Sequence, residues 1–434
     1  MSATGLDIAL PRHARSLPRF DAWSASSIVC FCLALIPIVA IPLPGASAGF
    51  ATGADHLSFV DLFGLPLLLL LLYRARLPDS MSLLFALSFL ACAWISMVNV
   101  GDLGRATLRV LRLCFIYSPF LLALSLQWTV QGAERALRVF WWSGLIGIVI
   151  GFLIYWFIGA VREQQQALFL KNGLGYVFRA GGQLGNSGGF SHLITSWAMI
   201  ALSLYWIGLR RLSAAQIAVT LAVLVYGVVI TASRNSLLQI GLALMFTTLF
   251  VARSHRRSAG QMLVTVALVI SLVALLLPLI AVITDSEVLR ATMSRFGLGD
   301  DDRSIAHSIR FQNWAGLLDQ LGWNLLGIGY KQTLALTGLN VDNAYLRIFL
   351  ELGVAGLTFF LLLWGSIQLQ LLGSRSPDAM VRRYKAAAAG LAMGELGRMF
   401  FSDTFTMYLS TPSVMVMLAI ALRLRSSDTG DVRR

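Results

Sequence analysis

The polar side chains that could do chemistry are few, and arginines stand out among them. Thr231-Ala232-Ser233-Arg234-Asn235 is a minimal polar break between two apolar runs, which sets Arg234 at an apolar boundary. A guanidinium in such a place is costly and raises a functional hypothesis. Its planar fork pairs with phosphate oxygens through parallel, charge-assisted hydrogen bonds. A snorkelling arginine bound to lipid headgroups fits the spacing as well. Arg179 precedes Ala180-Gly181-Gly182-Gln183-Leu184-Gly185-Asn186, either a cation beside a ligand or simply a flexible approach to the next apolar run. Arg162 lies in the same polar segment as Arg179, over 160–188, and Arg290, Arg295, Arg303 and Arg310 lie in a second one, over 284–343. Asp342, in Asn340-Val341-Asp342-Asn343-Ala344-Tyr345, opens a long apolar run. A carboxylate there can cap the helix, where exposed N–H groups and the dipole stabilise it. It can equally serve as a general base at the mouth of a cleft.

The elements that hold these residues follow from composition. The chain has 434 residues, 57% hydrophobic and 13% charged, with a mean hydropathy of +0.75. Soluble domains are about 25% charged, so a soluble enzyme and a disordered chain are both excluded. The net charge of +13 does not point to nucleic acid. The basic residues are almost all arginine, lysine occurring only at Lys171, Lys331 and Lys385, and they cluster between apolar runs as cytoplasmic loops do. Cys30, Cys32, Cys92 and Cys114 fall inside apolar spans, without histidines at ligand spacing, and read as buried thiols and not as a metal site. Neither a phosphate-cradling GxxxxGK[ST] nor an HExxH occurs, so no sugar-nucleotide donor, metal or cofactor is expected.

Apolar runs near 24–44, 59–72, 80–98, 106–126, 138–159, 189–208, 214–231, 236–252, 261–283, 344–371, 386–401 and 407–422 predict an all-α polytopic membrane protein of about twelve transmembrane helices. The arginine clusters place both termini in the cytoplasm, while the short loops opposite hold only Arg105 and Arg234. The expected layout is a cytoplasmic tail over 1–23, then spans one to nine over 24–283 with a periplasmic loop at 160–188. A large periplasmic loop follows at 284–343, then spans ten to twelve over 344–422 and a cytoplasmic tail over 423–434. Ala46-Ser47-Ala48 could be a signal-peptide cleavage site, but Pro37, Pro42 and Pro44 fit the outer end of an uncleaved first span. In the large loop Ile305, Ile309, Trp314, Leu317, Leu318 and Leu321 recur at helical spacing, after Asp302 as a possible cap. This predicts an amphipathic helix against the membrane surface or the bundle. Among charges inside spans, Arg109 and Arg112 share a helical face and could pair with Asp102 or an intramembrane acid. Arg347 and Glu351, at i and i+4, suggest an internal ion pair. The eleventh span carries Glu395 and Arg398.

TASRNS at a helix break, followed by a long outer loop with RFQNW, LLGIGY and DNAYLRIFLELGVAGL, resembles the O-antigen ligase and polymerase superfamily. The resemblance is clearest over residues 179–357. It implies a polytopic glycosyltransferase whose donor is a saccharide on undecaprenyl pyrophosphate. By resemblance Arg179 and Arg234 would grip the donor pyrophosphate, with Arg310 assisting, and Gly327 and Gly329 would form a tight turn in the loop. Ligases of this family place a histidine immediately before the Asn that opens span ten. Here that position is Asp342, followed by Asn343, while His13, His56, His192, His255 and His307 lie elsewhere. This departure favours a polymerase over a ligase acting on lipid A core, with Asp342 as the base and His307 as a displaced alternative. A non-enzymatic transporter of lipid-linked saccharide is the remaining reading, although the paired halves common in transporters are not evident. The expected partners are undecaprenyl-pyrophosphate-linked oligosaccharides, membrane lipids, a flippase and a chain-length regulator, and no nucleic acid.

Overall fold

A computed structural model describes residues 22–39, 80–157, 167–169, 176–178, 180, 187–206, 212–231, 233–254, 303–339, 341–374, 376–403 and 410–425. The chain runs α1 (Ala22–Val39), α2 (Met81–Ile95), α3 (Leu103–Ser125), β1 (Trp128–Thr129), α4 (Val130–Phe157), β2 (Ala167–Phe169) and β3 (Tyr176–Phe178). It continues with α5 (Ser187–Trp206), α6 (Ala214–Thr231), α7 (Arg234–Ser254), α8 (Arg303–Leu321), α9 (Thr333–Thr337), α10 (Ala344–Leu372), α11 (Ala379–Met399), α12 (Thr411–Leu422) and β4 (Leu424–Arg425). Helices occupy ten of the expected spans, and those at 59–72 and 261–283 lie outside the described residues. Among the described residues six helical stretches are long and apolar enough to cross a membrane: Met81–Asn99, Leu103–Ser125, Val130–Phe157, Ala214–Thr231, Asn235–Ala252 and Ala344–Leu372. The polar α11 is not among them. Two short strand pairs depart from the all-α expectation. β2 and β3 are antiparallel, and β1 and β4 are parallel with Trp128 opposite Leu424.

The helices close on one another through small residues. A Cβ on Gly390 or Gly394 of α11 would collide with the backbone of α7 at Thr247 and Gln239. Such close approach is how helices associate where lipid removes the hydrophobic drive. It also brings the polar side chains of α7 and α11 into hydrogen-bonding range. On α4, Gly144 leaves room for the Trp197 ring of α5, whose indole N–H donates to the Trp141 carbonyl at 2.8 Å. The helix expected in the large loop is α8, and its last two turns pack against the bundle. Leu317 is fully buried with Val341, Phe349 and Leu350 at the start of α10.

α10 is broken. Gly353 has φ +74 and ψ −173 inside an otherwise helical run. The backbone groups freed there bond the preceding loop. The N–H groups of Ile328 and Gly329 donate to the Leu350 and Glu351 carbonyls, each at 3.0 Å. In return, the N–H groups of Val354 and Ala355 donate to the Asn324 and Leu325 carbonyls. Gly327, at φ +73, makes this exchange possible, because a side chain would strike the Glu351 carbonyl.

Candidate functional site at one end of the helix bundle

The first turns of α5, α7, α10 and α12 meet the last turn of α11 at one end of the bundle. Asn235, second residue of α7, donates to the Phe401 carbonyl at 2.7 Å. Tyr345 of α10 donates to the Leu396 carbonyl at 2.8 Å. The loop after α8 joins the same end, where the Asn99 amide donates to the Gly327 carbonyl at 2.7 Å. Arg109 of α3 donates to the Lys331 carbonyl at 3.2 Å.

An ionic latch fastens that loop. Arg347 pairs with Glu351 one turn further on, Nε to Oε1 3.3 Å, and also with Asp403 beyond α11. The internal ion pair read from the sequence is therefore present, extended by a third member that local spacing does not suggest. The Glu351 carboxylate is fully buried and accepts the Lys331 N–H at 2.8 Å and the Thr333 hydroxyl at 3.0 Å. Lys331 itself has φ +59, a conformation unusual for a side-chain-bearing residue.

Deeper by about a turn lies a second network, built from α5, α7, α11 and the start of α12. Arg398 is fully buried. Its Nη1 donates to the Gln239 amide oxygen at 3.0 Å and to the Ser236 and Thr195 hydroxyls, each at 3.2 Å. Its Nη2 donates to Ser191 Oγ at 2.8 Å and to the Gly188 carbonyl at 2.9 Å. Glu395, one turn earlier, supplies the opposite charge. Its Oε2 lies 2.8 Å from His192 Nε2 and accepts the Gln239 amide at 3.0 Å. Ser410 meets the other nitrogen of His192. A cavity of about 10 Å3, the room of one water, lies beside Glu395, Gln239 and Ser196. Buried polar groups are costly unless paired, and the five bonds from the Arg398 guanidinium tie α11 to α5 and α7.

The residues singled out by sequence fall unevenly. Arg234 opens α7, next to Asn235 on the Phe401 carbonyl, and Asp342 and Asn343 immediately precede α10, whose first turn reaches Leu396 and Asp403, so both helix starts lie near the end of α11. Asp342 is half-buried and is not the cap. Asn343 is, its side-chain oxygen accepting the Leu346 N–H at 3.0 Å. The capping alternative for Asp342 is thus corrected, because its neighbour, in extended backbone, already satisfies the helix end. Gly327 and Gly329 both have positive φ and sit in the docked loop. Arg310 lies on α8, about two turns from its start. Arg179, Asp302 and the flanking Gly-rich stretch lie outside the described residues. Asp102 pairs with Arg105 at 3.2 Å and caps α3, rather than serving Arg109 or Arg112. Reading by sequence missed the roles of His192, Gln239 and Asp403. The i, i+3 spacing of Glu395 and Arg398 was their one local signal. Among the described residues no group of histidines, cysteines and carboxylates could hold a metal ion.

Long apolar helices, packed through small residues and holding ion pairs in one end, define a polytopic membrane protein. Residues 218–361, from α6 through the first half of α10, match the O-antigen ligase family, which places this stretch in the O-antigen ligase and polymerase superfamily. The matched stretch contains the Arg234 corner, the docked loop and the break at Gly353. No curated protein matches the sequence significantly.

Proposed function

We propose that the protein is a glycosyltransferase of the inner membrane and, within its superfamily, a polysaccharide polymerase. It transfers a growing glycan from undecaprenyl pyrophosphate to a hydroxyl of a lipid-linked repeat unit at the periplasmic face, with both termini in the cytoplasm. The products are O-antigen, capsule or exopolysaccharide. The observation that supports the reading is that the starts of α7 and α10, the helices that Arg234 opens and Asp342 precedes, both within the matched domain, come together at the end of α11. The leaving group brings its own activation, so the protein has mainly to position and neutralise pyrophosphate. Arg234, with Arg179 and Arg310, does this. Asp342, released from capping by Asn343, takes the proton of the acceptor hydroxyl. A flippase supplies the repeat units and a chain-length regulator sets the product size. No cofactor takes part.

One observation favours a second reading, transfer to lipid A core: the matched family is described as O-antigen ligase. A deletion strain separates the two. Single repeat units left on the lipid anchor support the polymerase. Long chains that are made but unattached overturn it in favour of the ligase.

A further inference from the structure

Every polar residue next to Arg234 is tied to the end of α11. Ser233 accepts from Ser191 at 3.1 Å, and Ser191 in turn accepts from Arg398. Asn235 is held by the Phe401 carbonyl, three residues beyond Arg398. Ser236 accepts from Arg398 directly and its N–H closes on the Ser233 carbonyl at 3.2 Å. Ser233, Ser236 and Arg398 are all buried. One guanidinium therefore fixes both sides of the α6–α7 corner that carries Arg234.

We infer that Arg398 is a positioning residue that holds the Ser233–Ser236 corner so that Arg234 meets the phosphates of a polyprenyl pyrophosphate. The inference rests on the donor-site reading above and adds a residue outside the matched domain. Three features carry it. The partners of Arg398 lie on the first turns of α7, Ser236 of the corner among them, and on α5 beside it, and its side-chain partners are all buried. A planar guanidinium reaches five acceptors on two helices at once, which an ammonium on a flexible stem does not. The neutralising charge, Glu395, is on the same helix and shares Gln239 with Arg398, so the cation need not draw on the ligand's charge for its own stability. Phosphate recognition at the corner then depends on a cation that never touches the ligand.

The full chain in nanodiscs, with undecaprenyl pyrophosphate as the probe, tests this by two readouts. The first is amide exchange in peptides covering 230–240 without ligand, and the second is the Kd for the probe. Arg398→Lys is expected to speed exchange at the corner about tenfold and to raise the Kd about tenfold, with exchange across α10 unchanged. Ser236→Ala, which removes one hydroxyl and keeps the charge, is expected to move both readouts in the same direction by less. Unchanged exchange at the corner in Arg398→Lys overturns the inference. So does loss of protection throughout the bundle in both variants, which would make Arg398 a general staple. If Arg234→Ala binds the probe like the unsubstituted protein, the donor-site reading fails. That failure is told apart because the ligand-free exchange in Arg398→Lys does not depend on it.

Discussion

Glu351→Ala cuts the latch between the docked loop and α10, and its cost can be worked from the geometry. Two donors and one cation converge on one buried carboxylate: the Lys331 N–H at 2.8 Å and the Thr333 hydroxyl at 3.0 Å donate to it, and the Arg347 guanidinium pairs with it, Nε 3.3 Å away. Breaking a buried ion pair costs about 3–5 kcal/mol. Arg347 keeps Asp403 as a partner, so the lower figure applies, about 3 kcal/mol. If the loss falls on loop docking, the undocked population rises about a hundredfold, at about 1.4 kcal/mol per factor of ten. A lysine-specific protease reads that population directly. The chain offers it Lys171, Lys331 and Lys385, and Lys331 sits on the latched loop. Cleavage that follows a fast opening equilibrium tracks the open population. Release of a fragment beginning at Gln332 should therefore accelerate about a hundredfold in Glu351→Ala, and clearly less in Glu351→Gln, which keeps one acceptor oxygen. An unchanged rate in Glu351→Ala would refute the latch and leave the Ile328 and Gly329 backbone bonds as sufficient.

Three other substitutions give separate expectations. Gly327→Ala adds a Cβ at φ +73 against the Glu351 carbonyl, so the same protease should cut at Lys331 faster, by tenfold or more, with α10 still formed. Asp342→Asn should abolish polymer while leaving protein level and thermal unfolding in detergent unchanged, because Asn343 provides the cap; wild-type polymer would remove Asp342 from the chemistry. Arg234→Lys should bind undecaprenyl pyrophosphate at least tenfold more weakly, since a point charge lacks the paired contact, and membrane insertion should be normal. Equal binding would mean nonspecific attraction to headgroups.

The sequence shows the helices more readily than their chemistry, and particular residues explain why. Residues 214–231 were expected as a span and form α6 with the same bounds, because Ser213 and the break after Thr231 end the apolar run on both sides. α4 starts at Val130, well before the expected 138, since Glu134 and Arg135 read as loop although they continue the helix and Glu134 is buried. Neighbouring candidates Asp342 and Asn343 both suit an N-cap. Which one caps depends on the turn at which α10 begins, beyond the resolution of residue preference. The Arg398 network was illegible for another reason. His192, Gln239 and Glu395 lie on three helices and meet only because glycines on α11 admit α7 so closely. Nor does anything around Gly353 mark a break, since one glycine in an apolar run is compatible with an unbroken helix.

The position of Arg398 in the chain bears on how the protein is made. Each of its hydrogen-bond partners, from Gly188 to Gln239, is on a helix translated before α11. α11 lacks the apolar length of the autonomous spans, and its guanidinium would be poorly tolerated in lipid alone. Its insertion is therefore a transfer onto a bundle that already presents the hydroxyls, amide and carbonyl that receive it. The end of α11 is where the starts of α7 and α10 are tied together, so the proposed site is complete only once this late helix has docked. A nascent chain stopped before residue 379 would hold the corner and the loop as separate parts.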